Sequence, residues 1–249
     1  MDLLEVTGNK NRHPWEISRA SRILKELPKF YEGDDVLDVG CGDGYFDRMI
    51  ARKFPSANFY GIDINLPRSY SEGNVSFFNS YEALPQKKFD CIILMDVLEH
   101  IKDDTEFLAK ISQRLKYNGT ILITVPAFMK LYSAHDREVK HYRRYEHKRL
   151  LKLIKKCGLK EVKWSYFYMS LILGRCLTRN RTQDTQGFHC VGKWKWAQNH
   201  IITKVITSIL NIDYNFLIFC SKRNVHFPGL SLLSVCKKAG SFINELRTN

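Results

Sequence analysis

The chain has 249 residues, of which 44% are hydrophobic and 26% charged, proportions that are typical of a folded globular protein and exclude a disordered one. Lysine and arginine outnumber aspartate and glutamate by 39 to 26, which gives a formal net charge of +13. This surplus favours anionic partners, such as phosphate-bearing substrates, nucleic acid or an anionic membrane surface. The alternative is a basic surface without a functional partner.

Cysteine usage and the N-terminal residues bear on the compartment. The seven cysteines are odd in number and show no C-x-x-C spacing, which argues against a disulfide framework and against a zinc knuckle. The first residues lack a signal-peptide pattern. The most apolar stretch, residues 201–220, is interrupted by Lys204, Asn211, Asp213 and Asn215, so we expect no membrane-spanning helix. These features predict a cytoplasmic protein with reduced thiols.

The first predicted element is a helix within residues 13–30, where Trp15, Ile23, Leu24 and Leu27 form one apolar stripe. A turn at residues 33–35 leads into the next element.

Residues 36–46 read V-L-D-V-G-C-G-D-G-Y-F, a short apolar strand followed by a turn with three glycines and by a predicted helix. Glycine is needed in such a turn because a Cβ atom would prevent the close approach of backbone and ligand. This strand, turn and helix are typical of the opening of a nucleotide-binding α/β sheet.

Further strands are predicted at residues 59–64, 75–78, 89–95, 120–125 and 161–169, with a helix from Asp103–Asp104 to about residue 116 and another over residues 146–157. This alternation predicts an α/β fold with a largely parallel sheet and helices on both faces. Ligands of such sheets bind at the carboxyl ends of the strands. Asp38, Asp63 and Asp96 lie at three such ends, so we expect them to converge on one crevice.

Three segments carry a resemblance to a known family: V-L-D-V-G-C-G-D-G, Y-G-I-D-I and F-D-C-I-I-L-M-D-V-L-E-H-I. Over residues 33–165 the chain resembles the class I S-adenosylmethionine-dependent methyltransferases. The resemblance implies a Rossmann-like sheet, mostly parallel, with a C-terminal antiparallel strand for which G-L-S-L-L-S-V-C-K-K is the candidate. We interpret residues 1–249 as a single methyltransferase domain: an N-terminal helical lid (1–32), a cofactor-binding core (33–169), a helical cap insertion (170–229) and a final strand (230–239).

The resemblance also implies that S-adenosyl-L-methionine is the cofactor. Asp38 and the glycine backbone would hold its methionine portion, Asp63 its ribose, and Ile64 its adenine. The predicted cofactor-binding residues are Asp38, Gly40, Cys41, Gly42, Gly44, Asp63, Ile64, Ser80, Tyr81, Met95 and Asp96. Ser80 stands where family members often carry an aspartate, and its hydroxyl would accept the bond from the adenine amine more weakly.

A nicotinamide-dependent dehydrogenase is the natural competitor, because it also begins with a strand and a glycine-rich turn. Asp43 lies inside the turn, where its charge would repel a pyrophosphate. A cationic sulfonium with an amino-acid tail tolerates that carboxylate, so the residues favour the methyltransferase.

Asp96, Glu99 and His100 would share one face if their segment were helical. A related quinone-pathway group with a similar segment is thought to bind a divalent metal there. The same residues are common as local structure, and we predict no metal site.

The loop after the fifth strand starts at the carboxyl edge, beside the cofactor, and it supplies the candidate catalytic residues His135, His141, Arg143 and Arg144. The histidines titrate in the range that a general base needs, and the arginines could clamp a carboxylate or a phosphate. The alternative is that one arginine pairs with Asp136 or Glu138. His13 and Trp15 are weaker candidates for a lid over the site.

The D-x4-H-x-R-R-Y arrangement in this loop resembles a methyltransferase subgroup that is often associated with cell-surface polysaccharide and lipid-linked sugar pathways. We therefore expect methyl transfer to an oxygen or nitrogen of a small-molecule, saccharide or lipid-linked acceptor. A nucleic-acid methyltransferase is an alternative, against which stand the lack of an appended RNA-binding motif and of an N-P-P-Y-like sequence, and we expect no DNA partner. A third alternative is a non-catalytic protein that retains the cofactor fold.

The cap contains a long predicted helix that opens at Trp194–Trp196. Its apolar stripe is formed by Ile201, Ile202, Val205, Ile206 and Ile209. We predict that this stripe packs on the core. The alternative is an acceptor-binding cap or an interfacial helix that makes peripheral contact with an anionic membrane.

Overall fold

The computed structural model describes residues 12–29, 33–172 and 200–238. Its strands are β1 Asp35–Val39, β2 Asn58–Ile62, β3 Tyr70–Glu72, β4 Val75–Phe78, β5 Phe89–Met95, β6 Leu115–Pro126, β7 Leu159–Phe167 and β8 Ser231–Lys238. Its α-helices are α1 Pro14–Glu26, α2 Tyr45–Lys53, α3 Asp104–Gln113, α4 Ala134–Glu138, α5 His147–Lys156 and α6 His200–Ser221. Short 3-10 turns lie at Leu27–Lys29, Leu98–His100 and Met129–Leu131.

All eight strands form one sheet in the order β3-β4-β2-β1-β5-β6-β8-β7. The five central strands β4, β2, β1, β5 and β6 are parallel, whereas β3 and β8 run antiparallel to their neighbours. Strand β7 pairs antiparallel with β8 at the far edge. The predicted Rossmann-like sheet with a C-terminal antiparallel strand is confirmed.

The parallel strands are buried because helices cover both faces of the sheet. On one face, the core contains Ile23 of α1, Ile50 of α2 and Leu210 of α6. On the other face, Leu108 of α3 and Ile154 of α5 pack on the sheet. Burial on both faces explains the almost continuous apolar sequence of β5.

Some element boundaries differ from the sequence prediction. Helix α3 ends at Gln113 because the chain enters β6 already at Leu115, which pairs with Phe89 ahead of a register shift. The short strand β3 pairs antiparallel with the first three residues of β4 and was not predicted. Three residues carry too little pattern to identify a strand.

The interpretation of the stripe on α6 was wrong. Ile201, Ile202, Val205 and Ile209 are exposed, and of the predicted stripe Ile206 alone packs against the core. The residues of α6 that enter the core are Leu210, Tyr214, Leu217 and Ile218. Helix α6 is apolar on nearly all sides, so its periodicity does not identify the buried face.

Within the described residues, one segment, Ile201–Ser221, is long and apolar enough to cross a membrane by length and composition, and 28% of its most apolar window is buried inside the protein. Composition therefore does not exclude a membrane-spanning helix, and the expectation that the chain has no such helix stays a prediction. The predicted helix start at Trp194–Trp196 lies outside the described residues.

Candidate functional site

The glycine-rich turn joins β1 to α2. Gly40, Gly42 and Gly44 have φ angles of 77°, 59° and 74°, a left-handed conformation that costs other residues steric energy. Added Cβ atoms at Gly40 and Gly44 would also collide with Val97 and Phe77. The spacing of these glycines is therefore a requirement of the backbone.

The turn is tied to the carboxyl end of β2. The amides of Gly40 and Cys41 donate to the Ile62 carbonyl at 2.8 and 3.1 Å, and the Gly42 amide donates to Asp63 Oδ2 at 3.0 Å. The turn and the predicted ribose-binding acid thus form one unit.

Asp38 is buried at the end of β1, and neither of its carboxylate oxygens has a hydrogen-bond partner among the described residues. Burial raises the pKa of Asp38 to about 7. Burial and the charge of Asp38 also raise the pKa of neighbouring Asp47. A buried carboxylate without a donor is costly, and a cationic ligand would remove that cost.

A cavity of about 30 Å³ lies beside Asp38, between the sheet edge and α1. The sheet side is lined by Asp38, Gly40, Cys41 and Met95, and α1 contributes Glu16, Arg19 and Ala20. This volume holds about two water molecules. A cofactor-sized ligand needs more room, so we expect the predicted lid helix α1 to move when such a ligand enters.

Two arginines hold α1 over the cavity. Arg12 forms an ion pair with Asp43 and stacks over the Tyr45 ring at 3.9 Å. Arg19 forms an ion pair with Asp96 and stacks over the Trp15 ring at 4.4 Å. Guanidinium groups thus neutralise the acidic cofactor side in the closed structure, which agrees with a site for a cationic ligand.

The predicted lid residue His13 precedes α1 and caps it, since its Nδ1 accepts from the Trp15 amide at 3.4 Å. Burial lowers the pKa of His13 to about 4. His13 is therefore neutral at physiological pH, as an acceptor in a cap must be.

Asp96 directly follows β5 and has a φ of 55°. Its amide donates to the Thr124 carbonyl at 2.9 Å, and its Oδ1 accepts from Thr124 Oγ1 at 3.0 Å. These bonds and the ion pair to Arg19 fix the carboxylate beside the cavity residue Met95.

The remaining predicted cofactor residues lie outside the cavity lining. Ile64 is exposed, the Ser80 hydroxyl accepts from the Ala83 amide at 3.3 Å, and the Tyr81 ring lies 4.5 Å from the Lys110 ammonium. Their contact with adenine stays a prediction. The buried, unpartnered Asp38, the positive-φ glycine turn and Asp63 do fit S-adenosylmethionine, and these residues would hold its methionine portion and ribose.

On the acceptor side, a second buried aspartate organises the loop after β6. Asp136 Oδ1 lies 2.9 Å from His141 Nδ1 and accepts from Arg144 Nε at 2.8 Å. Its Oδ2 accepts from Arg144 Nη2 at 3.0 Å and from the amide and hydroxyl of Ser133 at 2.8 and 2.9 Å. Although burial opposes ionisation, the bonds from His141 and Arg144 hold the pKa of Asp136 well below its usual range.

Asp136 was considered from sequence only as a partner for an arginine. The sequence does contain a pattern that involves Asp136: Ser133 and Asp136 have the S-x-x-D spacing of a capping box, and the structure forms this box at the start of α4. That signal identifies the cap, whereas the contacts to His141 and Arg144 depend on the folding of the loop.

The protein itself binds both candidate arginines. Arg144 is buried against Asp136, and Arg143 contacts Asp104 at 2.7 Å and donates to the Lys102 carbonyl at 2.6 Å. The pair of Arg144 with Asp136 is the one that was weighed against a role at the acceptor, whereas the contact of Arg143 with Asp104 was not anticipated. His135 is half-buried in α4.

His141 lies against the segment that follows β5. The rings of His141 and His100 are 4.6 Å apart, and the Tyr142 amide donates to the Glu99 carbonyl at 2.8 Å. Since β5 ends at the cavity residue Met95, these contacts connect the acceptor loop to the cofactor side.

Glu99, His100 and His141 have potential ligand atoms within 4.8 Å of one another, and they are of types that bind divalent metals. The Glu99 carboxylate is buried and has no hydrogen-bond partner in the part of the chain that the structure describes, and burial raises its pKa to about 8. Asp96, which the sequence grouped with Glu99 and His100, instead bonds Arg19 and Thr124. The prediction of no metal site stays a prediction.

Comparison with known proteins also indicates a methyltransferase. A family model described as a methyltransferase domain matches residues 12–163. N-methyltransferase 4 of Papaver somniferum is 30% identical over 123 residues, which are 44% of this chain and 35% of that protein. The ubiquinone biosynthesis O-methyltransferase of Pelagibacter ubique is 32% identical over 98 residues, which are 35% of this chain and 40% of that protein. The matches thus span between a third and a half of these relatives.

Among solved structures, a SAM-dependent methyltransferase from Archaeoglobus fulgidus aligns with a TM-score of 0.54 and 20% identity, over 88% of this chain and 93% of that one. This likeness shows the fold. Because the family model covers more than half of the chain, the chain belongs to the methyltransferase-domain family, the class I S-adenosylmethionine-dependent methyltransferases.

Proposed function

We propose that this protein methylates an oxygen or nitrogen of a small-molecule, saccharide or lipid-linked acceptor, with His141 as the general base. The observation that carries the proposal is the Asp136–His141 pair, in a loop that contacts the segment directly after β5. A histidine held by a buried carboxylate is a common arrangement for proton abstraction.

The chain's own groups prepare the acceptor and its proton. S-adenosylmethionine, when bound, supplies a methyl group on a cationic sulfonium, so the protein mainly has to align the nucleophile with it. Because Asp136 is ionised, His141 Nδ1 carries a proton and donates it to the Asp136 carboxylate. The Nε2 atom then has its lone pair available for the proton of a hydroxyl or ammonium acceptor.

Two further contacts hold the base in place. The Tyr132 hydroxyl donates to the His141 carbonyl at 2.7 Å, and the paired donors of Arg144 fix Asp136 from the other side. Asp136, Arg144 and Tyr132 are thus positioning residues, and His141 is the proposed catalytic residue.

Three considerations support the acceptor class. The relatives include both an N- and an O-methyltransferase, namely the (S)-coclaurine N-methyltransferase of Papaver somniferum and the ubiquinone biosynthesis O-methyltransferase of Pelagibacter ubique. The loop that contains Asp136, His141 and Arg143–Tyr145 resembles the subgroup of polysaccharide and lipid-linked sugar pathways. The net charge of +13 favours an acceptor with an anionic group.

The test measures release of S-adenosylhomocysteine with a panel of phenols, amines, free saccharides and polyprenyl-phosphate sugars. For the accepted compound, we expect His141→Gln to lower kcat by about 100-fold or more, because a positioned base contributes about that factor. Cofactor affinity, measured by calorimetry, should be unchanged.

Lys140→Gln is the matched control, since Lys140 is an exposed neighbour in the same loop. Equal kcat values for His141→Gln and Lys140→Gln would contradict the role of His141. Absence of turnover with the whole panel, together with tight cofactor binding, would instead contradict the acceptor class.

A further inference from the structure

Helix α6 carries a continuous apolar stripe on the side that faces away from the sheet. We call Val205, Ile209, Ile212, Phe216 and Phe219 the outer face of α6, and all five are exposed, by 46–69%. Because the helix turns by about 100° per residue, these positions fall within an arc of about 80° and extend along about 21 Å. Soluble surfaces rarely expose so long an apolar stripe without a partner.

Neighbouring aromatic groups enlarge this surface. The Phe216 ring stacks with the Phe227 ring at 5.9 Å, and both rings are substantially exposed. Val225 is exposed in the same turn after the helix. The apolar surface therefore continues beyond the end of α6.

The charges around the outer face are cationic. Asp213, the single acidic residue in the sequence of α6, is buried on the inner side and accepts from the amide and hydroxyl of Ser170 at 2.8 and 2.6 Å. Lys204 and Lys222 are exposed, and the Arg223 guanidinium packs 3.7 Å from the centre of the Phe219 ring. Apolar groups flanked by Lys and Arg, without a carboxylate from the helix, match an anionic lipid surface.

Helix α6 is placed at the edge of the sheet where the site opens. Ser18 Oγ of α1 donates to Asn211 Oδ1 at 2.9 Å, and Arg22 contacts Asn215 at 3.2 Å, so the two helices run side by side in the same direction. Ser170, which Asp213 binds, comes shortly after the carboxyl end of β7. Residues before Asn211 therefore extend toward the carboxyl edge by about 1.5 Å each.

We propose that the outer face of α6 lies on an anionic phospholipid surface and docks the enzyme there as a peripheral protein. The apolar side chains enter the boundary between headgroups and acyl chains, while Lys204, Lys222 and Arg223 reach the phosphates. The contact is peripheral because Asp213 and Tyr214 hold the inner side of the helix on the protein. This docking is independent of the proposed function, although it brings the site to a surface on which lipid-linked acceptors reside.

The test is co-sedimentation of the full chain with vesicles of phosphatidylcholine alone and of phosphatidylcholine mixed with phosphatidylglycerol. We expect binding to the mixed vesicles, with little binding to phosphatidylcholine and a loss at high salt. Ile212→Glu should weaken the binding about tenfold or more, because it removes an apolar side chain that would be buried in the lipid and adds a charge that the anionic surface repels.

Tyr117→Glu is the matched control. Tyr117 lies near the amino end of β6, away from the carboxyl ends of the strands, and it is 72% exposed, against 69% for Ile212. The control should bind the vesicles as the wild type does. Both variants should keep the wild-type melting temperature, since both side chains are exposed.

Three outcomes would overturn the proposal. One is no binding to the mixed vesicles, and another is equal binding by wild type and Ile212→Glu. The third is evidence, in the absence of lipid, that the outer face is already covered by protein. This would be a wild-type dimer that Ile212→Glu dissociates, or a melting temperature that is higher in the wild type than in Ile212→Glu.

Discussion

Two buried aspartates on the two sides of the site differ in what surrounds them. Asp38, on the cofactor side, has no donor for either oxygen among the described residues, and its pKa is raised to about 7. Asp136, on the acceptor side, is bonded to His141, Arg144 and Ser133, and its pKa is held well below the usual range. Burial acts in the same direction on both carboxyls, so the number of donors decides the difference.

The contrast separates a ligand-binding carboxylate from a structural one. Asp136 is already paired with the Arg144 guanidinium, and it holds the loop and orients His141. Asp38 has no hydrogen-bonded cation among the described residues. The charge of Arg19 across the cavity favours its ionised form without offsetting burial, so a cationic ligand would stabilise this carboxylate further. Substitution of each aspartate by asparagine should therefore affect different measurements.

Asp136→Asn should give the largest loss of stability. It removes the charge partner of the buried Arg144, and an uncompensated buried charge costs about 3–5 kcal/mol of unfolding free energy. Urea unfolding measures this loss. Asp103→Asn is the control, since Asp103 is an exposed N-cap that accepts one bond from the Glu106 amide, and it should lose about 1 kcal/mol or less. Equal losses in the two variants would show that the Asp136 network is not a structural centre.

Asp38→Asn should weaken S-adenosylmethionine binding by about 100-fold while leaving the cofactor-free protein at least as stable as the wild type at neutral pH. Calorimetry measures the affinity, and thermal unfolding measures the stability. A large loss of stability with unchanged affinity would reverse the roles that we assign to Asp38 and Asp136.

The same carboxyl predicts a pH dependence. Since the pKa of Asp38 is about 7 in the folded state and an aspartate in an unfolded chain has an ordinary pKa of 3.8, the folded state binds more protons between these values. The cofactor-free protein should therefore lose stability from this group as the pH rises from about 4 to about 7. Asp38→Asn should remove that part of the slope in a series of urea unfolding curves.

Arg19→Ala should have the smallest effect, and this effect should be on the rate at which the cofactor associates. It breaks the ion pair that holds α1 to Asp96 above the cavity, so the cofactor should associate a few-fold faster. Stopped-flow tryptophan fluorescence follows the association, because Trp15 stacks on Arg19. Arg22→Ala is the control on the same helix, since Arg22 contacts Asn215 of α6 and not the cavity. Slower association of Arg19→Ala would contradict the closing role of α1.

The sequence predicted that three acids of the cofactor side converge, because each of them lies at a strand end that the sequence marks. Asp38, Asp63 and Asp96 follow apolar strands, and parallel strands bring their carboxyl ends to one edge. The cavity and the bonds between the glycine turn and Asp63 agree with that expectation. The missing donor of Asp38 was not predictable, because burial and hydrogen bonding depend on what α1 and α2 cover.

On the acceptor side, the sequence predicted which residue types are present, but not which of them contact one another. Sequence identified His141 and Arg144 as chemically capable, and the fold decided that Arg144 binds Asp136. Similarly, sequence marked α6 as apolar, and the fold decided which side of it enters the core.

The sequence by itself determined the sheet, the glycine turn and the family, because strand periodicity and backbone conformation are local properties. The tertiary structure alone decided the partners of the two buried aspartates and the exposed side of α6. The physical reason is that a charge or an apolar side chain takes its role from the groups packed around it, and these come from distant parts of the chain.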